Sequence, residues 1–132
     1  MSFDAQKVLD IDYSDLENEF REQAIKFQQV YSAYVEASRT YDLKSEQINV
    51  TEAQHALAYR AEQTACGKKV TEKMVDQYLL LNEELQSLRQ GKIAARAERE
   101  MIGGLVKSLE HRRDALKAAS YTARSEVLPD TF

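Results

Sequence analysis

Helix breakers are scarce in this chain: 132 residues hold four glycines and a single proline, Pro129. So few of them argue against a β-rich or loop-rich fold, and the length suits one domain. Cysteine is nearly absent as well. Cys66 stands alone, so no intrachain disulfide can form, and a reducing, intracellular (cytoplasmic) home is the simplest expectation. The opening stretch MSFDAQKVLDID has neither a basic segment nor an apolar run, and no apolar stretch elsewhere reaches membrane length. A secretory leader and a membrane partner are therefore not expected. Aromatic residues are few, 8% of the chain, and mean hydropathy is −0.56. Both values suit helices that expose much of their surface.

Charge is present in quantity but unevenly placed. Residues 1–65 carry six Lys/Arg against twelve Asp/Glu, a net of −6, while residues 66–132 carry twelve against ten, a net of +2. An acidic first half and a slightly basic second half favour self-association or a basic site on one face.

Two periodic runs organise the chain. Ser14-Asp15-Leu16-Glu17 reads as a capping box that starts the first run. Phe20, Phe27, Tyr34, Tyr41 and Ile48 then recur by sevens, with Leu16, Ala24, Val30, Tyr31 and Ala37 between them, as in a coiled-coil seam. Gly67 is suited to the left-handed residue that ends a helix, and Thr71 to the N-cap of the next. Met74, Leu81, Leu88, Ala95, Ile102, Leu109 and Leu116 form the second run, again by sevens, which fades near Ser125; Pro129 marks a loose tail. Folding back at Lys68 sets Phe20 opposite Leu116, Phe27 opposite Leu109, Tyr34 opposite Ile102 and Ile48 opposite Leu88. The expected fold is all-α, a long antiparallel helical hairpin of coiled-coil type. Its arms would be about fifty residues each, roughly 75 Å at 1.5 Å per residue. Residues 1–13 read as an N-terminal arm, 14–125 as the hairpin with its turn at 66–71, and 126–132 as a tail.

Gly91 and Gly103-Gly104 are the weak points of the second arm, since an interior glycine costs about 1 kcal/mol relative to alanine. A break there would give a three- or four-helix bundle. The heptad phase continues through both sites, which favours an unbroken or merely bent arm, with Gly103 and Gly104 packed close against Tyr34. A lone hairpin buries one stripe per helix, a thin core. Leu43, Val50 and Leu57, with Leu79 and Ile93, lie off the two seams and form a candidate oligomer contact, by which the hairpin would assemble into a helical bundle or ring.

Catalytic and metal signatures are missing. His55 and His111 lie on opposite arms, His55 at seam spacing where a packed histidine is expected, and no metal-binding or phosphate-loop motif occurs. Acidic pairs such as Glu83-Glu84 read as a solvated helix face, and a hairpin offers no cleft to tune them. No enzyme and no cofactor are expected. Cations are more informative. Arg89, Lys92, Arg96 and Arg99, spaced three, four and three, stack on one helical face as a candidate phosphate-contacting stripe, or as ion-pair partners of the acidic arm. Arg112, Arg113, Lys117 and Arg124 follow, the last two complementing a helix dipole. Arg60, Lys68 and Lys69 make a patch at the turn, where Tyr59 is the nearest aromatic able to stack on a base.

Ala56-Leu57-Ala58-Tyr59-Arg60-Ala61-Glu62 followed by Gly67-Lys68 resembles the Leu-x-x-Arg…Gly-Lys/Arg segment of the UvsY recombination mediators of T4-type phages. The stretch Leu105–Leu116 is similar to the C-terminal helix of small helical phage proteins grouped near that family. The resemblance implies a homo-oligomeric, ring-like protein in a host cytoplasm that binds single-stranded DNA. It would help load a RecA-like recombinase onto strands covered by single-strand binding protein. Arg60 and Lys68 match basic positions of the motif; Ala58 stands where the family carries lysine, and Gln63 and Thr64 replace its tyrosine pair. The runner-up expectation is a structural or adaptor coiled coil that binds protein partners through its apolar stripes and no nucleic acid.

Overall fold

A computed structural model describes residues 3–127, and among them every regular element is helical. The elements are α1 (Ala5–Leu9), α2 (Leu16–Ala65), α3 (Glu72–Leu81) and α4 (Glu83–Val127). Pro129 and the rest of the tail beyond residue 127 lie outside the described residues.

Local sequence accounts for each boundary. Asp4 caps α1 by accepting from the Lys7 amide. The start of α2 corrects the capping-box expectation: Asp15, not Ser14, is the cap, its carboxylate accepting from the Asn18 amide at 3.3 Å. Ser14 instead donates its hydroxyl and its amide to Asp12. These two bonds, the hydroxyl first, hold the Asp12 carboxyl below its ordinary pKa. From Leu16 onward no proline or glycine interrupts α2 for 50 residues. It ends in a Schellman turn. The Lys68 amide returns to the Gln63 carbonyl and the Gly67 amide to the Thr64 carbonyl, both at 3.0 Å, with Gly67 at φ +73°. Thr71 then caps α3 through the Met74 amide.

The second arm does break, but at neither glycine site. α4 runs through Gly91, Gly103 and Gly104 without interruption, and the helix stops and restarts at Asn82. Asn82 has extended backbone (φ −68°, ψ 122°), and its side chain accepts from the Leu85 amide at 3.0 Å. An asparagine followed by Glu83 and Glu84 is a helix start: its oxygen satisfies a free amide and the two acids meet the positive end of the dipole. Local capping there outweighs the smooth heptad phase.

The chain divides into two compact units, one of residues 1–36 with 100–132 and one of residues 37–99. In the first, α2 and α4 run antiparallel, since Glu19 meets Arg112, Gln23 meets Leu109 and Tyr34 meets Gly103. Its core is Val30, Ala33, Ile102, Leu109 and Leu116, all buried. In the second unit, α2 meets α4 in the same sense, Lys44 beside Gly91 and Glu52 beside Arg89, with α3 packed through buried Val75. Ala37, Ile48, Leu85 and Ala95 complete that core.

The register agrees with folding back at Lys68 to within about a turn: Tyr34 rests on Gly103, one residue from the expected Ile102. The seam on α4 is the expected one through Ala95, Ile102, Leu109 and Leu116. On α2 the expected Val30, Ala37 and Ile48 are buried, but the aromatic positions from Phe20 to Tyr34 are displaced. Buried positions in the first unit are Glu19, Gln23, Val30 and Ala33, whereas Phe20, which heads the expected seam, is 37% exposed and Phe27 and Tyr34 are only half-buried. Tyr34 finds room against α4 only over Gly103, where no Cβ stands in the way. Phe27 stacks on the exposed Tyr31 with centroids 5.8 Å apart, and Tyr31 lies tilted against Tyr34 at 6.4 Å. Leu81, expected in the second seam, is 72% exposed because the Asn82 break rotates it outward.

Candidate functional site

The turn between α2 and α3 gathers the first set of predicted residues. Arg60, on the last turns of α2, is partly exposed and pairs with Glu72 at the start of α3, 2.5 Å away. Lys68 and Lys69 follow the Schellman turn and are exposed, as is Lys73 on the first turn of α3. Tyr59 stacks on Tyr78 of α3, with centroids 4.3 Å apart and planes 18° from parallel. Beside that ring pair lies an open groove of about 320 Å³, completed by Met74, Gln77, Leu81 and Asn82.

The basic stripe on α4 is occupied within its own unit. Arg89 reaches Glu52 and the Leu79 carbonyl, each at 3.4 Å. Lys92 and Arg99 sit over the Tyr41 ring, 5.6 and 4.3 Å from its centroid. Both are half-buried, stems against the seam and charges over the ring, an arrangement that stabilises the helix pair. Arg96 is exposed and also has an interaction partner.

Of the predicted oligomer contact, Leu43, Val50 and Leu57 are exposed and recur by sevens on the side of α2 turned away from its buried face. Leu57 is 70% exposed and Ile93 on α4 is 67% exposed, while Leu79 is half-buried. His55 is half-buried, its Nε2 2.9 Å from Glu84 and its Nδ1 3.5 Å from the Asn82 amide. His111 is exposed. Among the described residues no cluster of His, Cys, Asp or Glu could hold a metal ion, and no helix is long and apolar enough to cross a membrane.

One buried polar cluster escaped the sequence reading. Arg112, read there only as the first of a second basic set, is 3% exposed. Its guanidinium donates to Glu19, to the Gln23 side chain at 2.7 Å and to the Asp10 carbonyl at 3.1 Å. Gln23 in turn donates to the Leu109 carbonyl at 2.8 Å. The spacing Leu109, Arg112, Leu116 was the available signal, since three and four residues place all three on one helical face.

The chain matches no protein-family model, no curated protein and no solved structure.

Proposed function

We propose that this protein is a non-enzymatic, self-associating helical protein that holds single-stranded DNA at the α2–α3 turn, in the manner of a recombination mediator. The observation that carries the reading is the set of exposed cations Lys68, Lys69 and Lys73 at the turn that also carries the Tyr59–Tyr78 stack, in a chain whose net charge is −4; Arg60, next to Tyr59, is engaged by Glu72. The resemblance of residues 56–68 to the UvsY segment falls on the same turn. The Arg89–Arg99 stripe contributes less, because its cations already serve Glu52 and Tyr41.

Binding of this kind works through phosphates. It is non-specific, and weakens by about 0.7 log units per tenfold rise in salt for each phosphate neutralised on a single strand. Several copies joined through Leu43, Val50, Leu57 and Ile93 would add weak sites into useful avidity. The strand would then be loosened from its single-strand binding protein and presented to a RecA-like recombinase.

The test is a titration of fluorescent oligo-dT at about 50 mM and about 200 mM salt. Binding at the lower salt is expected, with the double change Lys68→Ala and Lys69→Ala lowering the salt slope by about 1.4. No binding at the lower salt removes the reading.

A second reading rests on the exposed stripe itself. Leu43, Val50 and Leu57 form an apolar strip in the register that helix partners use, so a purely structural or adaptor role follows if DNA is not bound. Native mass with and without oligo-dT separates the two: an oligomer indifferent to DNA supports the adaptor.

A further inference from the structure

We infer that the groove beside the Tyr59–Tyr78 pair seats one unpaired base of a bound single strand, so that the turn grips bases as well as phosphates. This rests on the proposed DNA-binding reading and adds a second kind of contact to it.

Three observations converge on that groove. Its wall is a nearly parallel aromatic stack, 4.3 Å between centroids, and a planar base extends such a stack whatever its identity because every base has a π-face. Its volume, about 320 Å³, is open to solvent and stands at the small end of the roughly 300–1,000 Å³ that small-ligand sites occupy. Its polar edge is a single adaptable group. Asn82 is committed to the Leu85 amide and to His55, whereas the exposed Gln77 amide offers both a donor and an acceptor. A lone amide of this kind can meet any base edge and selects none.

Charge decides between a nucleic acid and an apolar protein segment as the occupant. Lys73 precedes Gln77 by one helical turn on α3, so it stands on the same face as the groove. Lys68 and Lys69 lie in the connection just before α3, and Arg60 is next to Tyr59 in the chain. No charged side chain lines the groove itself; Glu72 is taken up by Arg60, which leaves Lys68, Lys69 and Lys73 as the cations on its approach and Asp76 as the acid on α3. An aromatic floor with cations along its approach suits a strand whose bases point inward and whose phosphates stay at the rim.

The experiment compares fluorescent oligo-dT with a chain of abasic deoxyribose phosphates of equal length, on the unaltered protein at about 50 mM salt. Stacking of one base predicts that oligo-dT binds roughly 5- to 150-fold tighter than the abasic chain. Y78L abolishes that preference, and Y78F keeps it; a preference that survives Y78L overturns the seat. Equal binding of the two chains overturns the base seat and leaves the phosphate reading standing. If neither chain binds, both fall. Should Y78L fail to fold, Y59L takes its place, and a preference that survives it overturns the seat.

Discussion

Replacing Arg112 by methionine removes the centre of the buried cluster that ties Asp10, Glu19 and Gln23 together. Arg112 is 3% exposed and Glu19 7%, so the carboxylate left behind can recover little water. Removing one partner of such a buried pair costs about 3–5 kcal/mol, because the penalty is that of an uncompensated charge rather than of a lost attraction. Unfolding entropy near 2.1 cal/mol/K per residue, over 132 residues, converts each kcal/mol into roughly 3.6 °C. The expected fall in Tm is therefore about 11–18 °C, read as the midpoint of a circular dichroism melt at 222 nm. The double change Arg112→Met with Glu19→Leu should recover most of it, since both charges leave together. A single change that lowers Tm by less than about 3 °C refutes the reasoning, and would mean that water reaches Glu19 freely.

Other consequences are smaller. Asp15→Ala should cost about 0.5–2 kcal/mol through loss of the α2 cap, and Ser14→Ala much less; equal losses would restore the capping-box reading. Ser14→Ala should also raise the Asp12 pKa toward its ordinary value, visible in an NMR titration of the carboxyl carbon. Gly104→Ala should stabilise by about 1 kcal/mol or less, because nothing stands within 4 Å of the added methyl. Gly103→Ala should gain less or reverse sign, since its Cβ would stand 3.1 Å from the Tyr34 ring; equal gains from the two would contradict the close packing. Asn82→Ala should cost about 1 kcal/mol in urea denaturation, and a neutral result would mean that the α3–α4 break does not depend on its cap.

Much of the architecture was legible because it is written in local terms. The absence of glycine and proline over residues 16–65 predicts a long helix, and Gly67 and Thr71 mark its turn with residues whose backbone and hydroxyl chemistry suit those places. The antiparallel register followed from two commensurate heptads, and Tyr34 against Gly103 lies where that register sets it. The break at Asn82 was equally local, spelled by an asparagine before two glutamates, but hidden behind the stronger seven-residue pattern. The basic stripe was legible as a face, though not what that face would touch.

Helix starts and stops are local matters, because caps, breakers and periodicity act within a few residues of one another. Which stripe of α2 is buried was decided only in three dimensions. The aromatic line from Phe20 to Tyr34 is the more apolar, yet helices approach closely only over small or well-fitted side chains. Val30 and Ala33 are therefore buried, while Phe27 stacks on Tyr31 and Tyr34 lies over Gly103. The same close approach decided the fate of the cations. Arg112 is buried because Glu19 and Gln23 wait opposite it, while Lys68 and Lys69 keep water in the connection after the Schellman turn and Lys73 on the side of α3 away from buried Val75.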